Sequence, residues 1–377
     1  MVRITRATTY LVGNPWKNWL LLRLDTDQPG LYGLGEGTLN AFGRTVEAAI
    51  HELAPRYEGM DPFQVETIVQ RMTRDLYSDG GQIHGNAVAA VEEACWDIIG
   101  KETGRPVYDL IGGRYHESLP VYANGWYTVA PEPQEFHKAA KRVVERGYPA
   151  LKFDPFGPGH YELTRDERNR SISLVEAVRD AVGPEGEILI EMHGRFTPAQ
   201  AIRISRELEP FDPSWIEEPV PPENLKALQK VAERVNIPVA TGERIHSRYD
   251  IRELFELQAA DIVQLDVTHF GGLGEAKKVA GWAEAYYMMM APHNVGGPIS
   301  TMANLHLDAT LTNFKIQEHF NDFADSWIKT VETGMPEVDP ADGCFPVPTA
   351  PGLGITLDED AARAHPMEAV DFNLFKT

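Results

Sequence analysis

The chain has 377 residues, 43% of them apolar and 24% charged, with a formal net charge of −21 at pH 7. The length suits one large domain with an accessory domain, and the composition is ordinary for a globular protein. The negative charge argues against nucleic acid or an anionic membrane as a partner. No apolar run approaches the ~20 residues that span a bilayer, and we expect a cytoplasmic protein. The chain has two cysteines, Cys95 and Cys344, so we expect no disulfide framework.

The N-terminal part of the chain, residues 1–118, predicts an α+β domain. Three alternating apolar segments are typical of strands joined by turns with Gly, Asn, Asp and Pro. They cover roughly residues 2–12, 18–27 and 31–39. Apolar residues at helical spacing follow, and the last of these segments ends at Gly104, a common helix-terminating residue. The helical segments cover roughly residues 44–57, 62–77 and 87–104.

From residue 119 onward, short apolar segments alternate with amphipathic helical patterns about every 25 residues. The segments end in VYAN, ALKFD, ILIEMH, WIEEP, VATGER, IVQLD, MMMAPH and FKIQEH. Eight such units over residues 119–330 predict a (β/α)8-type barrel, to which the N-terminal domain would be a cap. A doubly wound open sheet is the alternative, but no glycine fingerprint follows the first segment. Residues 331–377, rich in Pro, Gly and Asp, are expected to pack back on the capping domain.

Three consecutive segments of the predicted barrel end in a glutamate. These residues, Glu191, Glu217 and Glu243, recur every 26 residues. The C-terminal ends of parallel barrel strands meet at one mouth, so the three carboxylates should converge there. An all-oxygen ligand set suits a hard, octahedral cation and is a poor match for zinc. The sequence therefore predicts a site for one Mg2+ per subunit.

Ionisable residues also stand at the other predicted strand ends. They are Lys152, Asp154, His193, Asp266, His293 and Glu318. One such residue alone is more often a solvated or salt-bridged side chain. Burying many charges at one barrel mouth is costly unless a metal or a ligand compensates them, which favours an active site. Because residues i and i+2 of a strand face the same side, Lys152 and Asp154 should project together, as should Glu191 and His193.

These motifs resemble the enolase superfamily in its mandelate racemase subgroup, especially the gluconate- and galactonate-type sugar-acid dehydratases. The resemblance extends over essentially the whole chain. YGLGEG and WDIIGKETGRPVYDLIGG are similar to the family's capping domain, and PGLG is similar to its C-terminal return. The strand-end motifs appear in the family's order as ALKFDPFGP, EMHGRF, WIEEPV, GER, QLDVTHFGG and APHN.

The resemblance implies a role for each strand-end residue. It makes the three glutamates the Mg2+ ligands, His293 the general base and Asp266 the partner of that base. His193 becomes the general acid for the leaving hydroxyl. Lys152 would contact the substrate carboxylate, and Glu318 would form a hydrogen bond with the enolate or carboxylate oxygen. The implied reaction converts an aldonate to a 2-keto-3-deoxy sugar acid by removal of the C2 proton and loss of the C3 hydroxyl.

Four further residues are candidates for contact with the substrate. Asp154 and Arg195 belong to the barrel, and Trp16 and Asn40 belong to the first turns of the capping domain. Two departures from the family pattern matter. Many members have Asp where Glu191 stands, and racemases of the subgroup usually have a second lysine at the position of Asp154, so elimination is favoured over racemisation.

Two alternatives remain open at this stage. One is an epimerase, racemase or cycloisomerase of the same superfamily, which would need a base on the second face of the substrate. The other is a sugar-acid-binding protein without catalytic activity, against which the His193 and His293 pair argues. The resemblance also implies a homo-oligomer, from a dimer to an octamer.

Overall fold

The computed structural model describes residues 1–14, 17–78, 80–324 and 326–369. Trp16, one of the predicted substrate contacts, lies outside these ranges. None of the helices within them combines the length and apolar character that a membrane-spanning segment needs.

The N-terminal part is a three-stranded antiparallel sheet covered by helices. The strands, in the order β1-β2-β3, are β1 Ile4–Val12, β2 Trp19–Thr26 and β3 Tyr32–Glu36. The helices are α1 Gly43–Glu52, α2 Ala54–Tyr57, α3 Val65–Met72, α4 Gly81–Thr103 and α5 Val107–Leu110. The strand β3 lies directly on α4. The contact is so close that a Cβ at Gly33 or Gly35 would lie 1.9 Å from a carbonyl oxygen of the helix, so both positions require glycine. The helix α4 ends as expected at Gly104, which adopts a left-handed conformation with φ 68°.

Eight parallel strands form the second part. They are β4 Ser118–Ala123, β5 Ala150–Phe153, β6 Glu187–Glu191, β7 Trp215–Glu217, β8 Val239–Thr241, β9 Ile262–Val263, β10 Met289–Met290 and β11 Gln317–His319. The hydrogen-bonded order is β10-β9-β8-β7-β6-β5-β4-β11. The intervening helices are α6 Pro133–Glu145, α7 Arg165–Val182, α8 Pro198–Leu208, α9 Leu225–Ala232, α10 Arg248–Leu257, α11 Leu273–Ala285 and α12 Pro298–Asp308. The described residues also form three short 3-10 helices, Glu209–Phe211, Asn321–Phe323 and Ser326–Thr330.

The curled sheet closes through a bridge between Met290 and Phe314, just before β11. After β11 the described chain continues in 3-10 turns where a regular barrel would have an eighth helix. The predicted (β/α)8-type barrel with an α+β capping domain is therefore confirmed, in a modified form. Its interior is filled by a layer of alternating large and small side chains, which keeps the barrel packed below its mouth. The layer consists of Tyr122, Ala150, Leu189, Trp215, Ala240, Ile262, Ala291 and Ile316.

The C-terminal segment runs back along the barrel to the capping domain. Its elements are β12 Glu332–Thr333, β13 Cys344–Pro346, β14 Thr356–Leu357 and α13 Glu359–Ala364. The strand β13 pairs antiparallel with β4, and β12 pairs with β14. The hydroxyl of Tyr10 donates to Glu359 over 2.5 Å, and the Gly13 amide donates to the His365 carbonyl over 2.8 Å. These contacts support the predicted return to the cap, while the boundaries at residues 118 and 330 stay predictions.

Candidate active site

The barrel strands bring the predicted ionisable residues to one mouth. Lys152, Glu191, Glu217 and Glu318 lie within β5, β6, β7 and β11. Three others lie two or three residues beyond the hydrogen-bonded strands β8, β9 and β10. They are Glu243, Asp266 and His293. Parallel strands direct their C-terminal ends to the same face of a barrel, which explains why residues spread over more than 160 positions meet.

Glu191, Glu217 and Glu243 form a compact cluster of carboxylates. One oxygen from each lies within 4.8 Å of the others. Burial raises the pKa of Glu191 to about 7, partly opposed by Lys152. Burial also raises the pKa of Glu217 well above its usual range, and Glu191 raises it further. Because crowded buried carboxylates resist ionisation, the cluster fits a hard divalent cation that would neutralise them.

Lys152 lies in the middle of this acidic cluster. Its ammonium nitrogen is 2.6 Å from Glu217, 2.9 Å from Glu318 and 3.5 Å from Glu191. Burial opposes its charge, but these carboxylates outweigh burial and raise the pKa of Lys152 well above its usual range. Lys152 is therefore a permanent cation at the cavity wall, and in this structure the protein's own carboxylates balance its charge.

His293 and Asp266 form a buried pair. Nδ1 of His293 is 2.7 Å from Asp266, and Nε2 is 3.3 Å from Glu243. Thr268 donates to the other oxygen of Asp266 from both its backbone amide and its hydroxyl. Burial alone would lower the pKa of His293, but Glu243, Glu318 and Asp266 raise it to about 9. The Asp266 contact fixes the ring and leaves Nε2 as the nitrogen that can exchange a proton.

A second histidine–carboxylate pair stands at the end of β6. Nδ1 of His193 is 2.7 Å from Asp154, and Arg195 forms a close ion pair with the same carboxylate oxygen. Burial would raise the pKa of Asp154, but His193 and Arg195 outweigh it and lower the value. His193 has φ 47°, a left-handed conformation that is uncommon for a residue with a side chain and that here turns it toward the cavity.

The structure does not place Asp154 and Arg195 where the expected contacts with the substrate would be. Neither lines the cavity. The side chain of Arg195 is fully buried, and it donates to the carbonyl oxygens of Met192 and Gly157. In this structure the two residues hold His193 from behind, so their contact with a substrate would be indirect.

Glu318 also lies behind the cavity wall. It accepts from the side-chain amide of Asn124 and the backbone amide of Asn294, each over 2.7 Å. Burial would raise its pKa, but Lys152 and His293 outweigh burial and lower it. An ionised Glu318 accepts hydrogen bonds and cannot donate one. A direct hydrogen bond from Glu318 to an enolate oxygen is therefore not favoured by this arrangement, and its observed contact is with Lys152.

The cavity above these residues has a volume of about 290 Å³. The capping domain contributes part of its lining, including the predicted Asn40, whose buried side-chain oxygen has no hydrogen-bond partner among the described residues. The other capping residues are Lys17, Leu39, Phe42 and Gln82. A larger cleft of about 400 Å³ lies between the α3–α4 segment and the loop before α10. Its lining has none of the strand-end carboxylates, so we assign the chemistry to the smaller cavity.

Several lining residues were not identified as site residues from the sequence, His269 and Arg244 among them. His269 lies three residues after Asp266, with Nδ1 3.6 Å from that carboxylate, and the THFGG motif was its signal. Arg244 lies next to Glu243 and pairs with the buried Glu218 over 2.5 Å. Lys17, in the first turn of the capping domain, also lines the cavity. Its side chain is 8% exposed, burial lowers its pKa to about 8, and its ammonium has no hydrogen bond or ion pair with the described residues.

Comparisons with known proteins account for both parts of the chain. Residues 15–112 match the N-terminal domain of the mandelate racemase / muconate lactonizing enzyme family, and residues 135–361 match the enolase C-terminal domain-like family. A curated relative is the D-gluconate/D-galactonate dehydratase of Picrophilus torridus. It is 37% identical over 347 residues, which cover 92% of this chain and 88% of that protein.

Solved structures of mandelate racemase/muconate lactonizing enzymes share the whole fold. The protein from Jannaschia sp. CCS1 superimposes with a TM-score of 0.91 at 33% identity, covering 98% of this chain and 99% of that one. The protein from Sulfitobacter sp. gives a TM-score of 0.92 at 33% identity, covering 98% and 96%. The predicted resemblance is confirmed, and the chain belongs to the mandelate racemase/muconate lactonizing enzyme family of the enolase superfamily.

Proposed function

We propose that the protein is a hydro-lyase that dehydrates an aldonate, such as gluconate or galactonate, to a 2-keto-3-deoxy sugar acid with Mg2+ as cofactor. The observation that carries this proposal is the pair of histidines facing one cavity, each held by its own carboxylate. Their strands, β6 and β10, lie four apart in the order of eight, so the histidines stand on opposite sides of the mouth. That placement provides one base and one acid for an elimination. The name of the Picrophilus torridus relative supports this reaction class and substrate class.

The three glutamates would hold the Mg2+, which would stabilise the negative charge that develops on the substrate carboxylate. Lys152 adds a fixed positive charge at the same wall. Neutral His293 takes the C2 proton at Nε2, and Asp266 stabilises the imidazolium that results. A cation on Glu243 would favour the neutral form, because Glu243 is the carboxylate that most raises the pKa of His293. As the C3–O bond breaks, His193 donates a proton from the ring nitrogen that does not contact Asp154, and the hydroxyl leaves as water. The enol product then ketonises to the 2-keto-3-deoxy acid.

The arrangement around Asp154 supports elimination over racemisation. A racemase needs a base on each face of the substrate. At the position where racemases of the subgroup carry a lysine, this chain has a carboxylate that accepts from His193 and Arg195 and does not line the cavity. The Asp154 position therefore supplies no base, and His193, on the side opposite His293, is assigned as the acid for the leaving hydroxyl.

The test is a screen of aldonates and aldarates with an assay for 2-keto acids, before and after chelation and with Mg2+ restored. We expect turnover of at least one aldonate, loss on chelation and recovery with Mg2+. Glu191→Gln should abolish turnover, whereas the matched control Glu187→Gln, at the exposed opposite end of the same strand, should not. Turnover that survives exhaustive chelation, or binding of aldonates without turnover, would overturn the proposal. Light scattering would test the proposed homo-oligomer of two to eight subunits.

A further inference from the structure

Glu217 differs from the other two carboxylates of the cluster in how completely its oxygens are held. Oε1 accepts from Lys152 over 2.6 Å. Oε2 accepts from the indole nitrogen of Trp215 over 3.0 Å and from the side-chain amide of Gln264 over 2.7 Å. Each carboxylate oxygen has about two lone-pair directions. Both directions of Oε2 are thus occupied by neutral donors, whereas Oε1 has one direction left for a cation.

Trp215 and Gln264 are rigidly placed for this contact. Both side chains are fully buried. The Trp215 ring packs edge-on against Tyr122, with centroids 5.5 Å apart. The backbone of Gln264 is fixed by a 2.8 Å hydrogen bond from its amide to Thr241, and a Cβ at Gly242 would come within 3.0 Å of it. Burial of both side chains and the fixed backbone of Gln264 thus keep the two donors next to Glu217.

We propose that Gln264 and Trp215 are positioning residues that restrict Glu217 to binding the metal through Oε1 alone. They thereby set the preference of the site for Mg2+ over the larger Ca2+. Mg2+ requires a near-ideal octahedron of single oxygen contacts, whereas Ca2+ accepts six to eight ligands and readily takes both oxygens of one carboxylate. A carboxylate with one oxygen occupied by protein donors therefore disfavours Ca2+. The inference rests on the proposed function in one respect, that the resident cation is Mg2+.

The test is calorimetric titration of the metal-free protein with MgCl2 and with CaCl2, which requires no substrate or turnover. Gln264→Met removes the amide donor at similar volume, and Trp215→Phe removes the indole N–H. We expect the Mg2+ dissociation constant of each variant to rise about 10- to 100-fold, as is usual when a partner of a metal ligand is lost. The Ca2+ constant should change less, so that the ratio of the two constants shifts toward Ca2+.

Gln317→Met is the matched control. Gln317 is also fully buried on a barrel strand, but its side-chain amide donates to the backbone carbonyl of Glu318 and not to a carboxylate of the cluster. It should leave both metal constants unchanged, and thermal melting should show that all variants fold. An unchanged Mg2+/Ca2+ ratio in folded Gln264→Met and Trp215→Phe would overturn the inference. An equal shift in Gln317→Met would do the same, because a general loss of core packing would then explain the effect. A wild-type protein that binds no Mg2+ would instead overturn the proposed cofactor, and this inference with it.

Discussion

Replacing His293 with asparagine should lower the rate of dehydration by two to four orders of magnitude. An asparagine amide can fill part of the ring's space and keep a hydrogen bond to Asp266, which lies 2.7 Å from Nδ1 of His293. It cannot accept a proton at the position of Nε2. Positioned general bases contribute about 10²- to 10⁴-fold, which corresponds to about 2.7 to 5.4 kcal/mol of transition-state stabilisation.

The assay that isolates this role follows two signals in deuterated water. One is formation of the 2-keto product, and the other is incorporation of solvent deuterium at C2 of the recovered aldonate. His293→Asn should lose both signals, because the C2 proton is never removed. His193→Asn should lose product formation but keep exchange at C2, because the base still works when the departing hydroxyl is not protonated. Near-normal turnover in His293→Asn, or exchange lost in His193→Asn but kept in His293→Asn, would refute the assignment of base and acid.

Three further predictions concern the metal, the cap and the fold. Because the pKa of Glu191 is raised to about 7 and a metal ligand must be ionised, Mg2+ binding should release protons near pH 7. The affinity for Mg2+ should therefore rise between pH 6 and pH 8, by up to about tenfold per pH unit. Calorimetric titrations in buffers of different ionisation enthalpy would measure the proton release, and pH-independent binding would contradict the prediction. Lys17→Met should raise the KM for the aldonate about 10- to 100-fold with a smaller effect on kcat, since it removes from the cavity wall a cation that has no ion pair with the described residues. The control Lys277→Met, which loses a contact to Thr310 outside the cavity, should leave KM unchanged. Both carboxylate oxygens of the buried Asp308 lack partners among the described residues, and burial raises its pKa well above the usual range. The folded state therefore holds a proton that the unfolded state releases above about pH 4, and stability falls as pH rises, by up to about 1.4 kcal/mol per unit. Asp308→Asn should therefore melt at a higher temperature than wild type at pH 8, with a smaller difference at pH 5, whereas the fully exposed control Asp360→Asn should melt like wild type at both.

The spacing of the carboxylates could be predicted from the sequence because the barrel units are short and nearly equal in length. Glu191 and Glu217 are the last residues of β6 and β7 and pair directly across the two strands. A constant interval along the chain thus becomes a constant height in the barrel. This relation holds wherever the repeating unit is one strand and one helix, which is why the acidic cluster and the fold class could be predicted from the sequence.

Alternation along a strand was a weaker guide, because it fails where the strand stops. It placed Asp154 beside Lys152 on the inner face, but β5 ends at Phe153 and Asp154 begins a turn in which it accepts from the Phe156 amide. His193 also lies beyond its strand, and its positive φ changes the direction of the side chain. Side-chain direction past a strand end depends on the turn, and the sequence does not reveal that turn.

The cavity residues of the capping domain could not be predicted from the sequence, for a different reason. Lys17, Asn40 and Gln82 come from three separate segments of the cap, and they meet over the barrel only because the cap packs on the strand ends. No periodicity relates them, so their convergence could not be inferred from spacing. The groups proposed for proton transfer belong to the barrel, whereas these three cap residues are polar and line the same cavity without a part in that chemistry. A change of cap residues can therefore alter the preferred aldonate while the strand-end residues stay the same. Exchange at C2 consequently tests the barrel residues, and the ratio of kcat/KM between two aldonates that differ at a distal hydroxyl tests the cap.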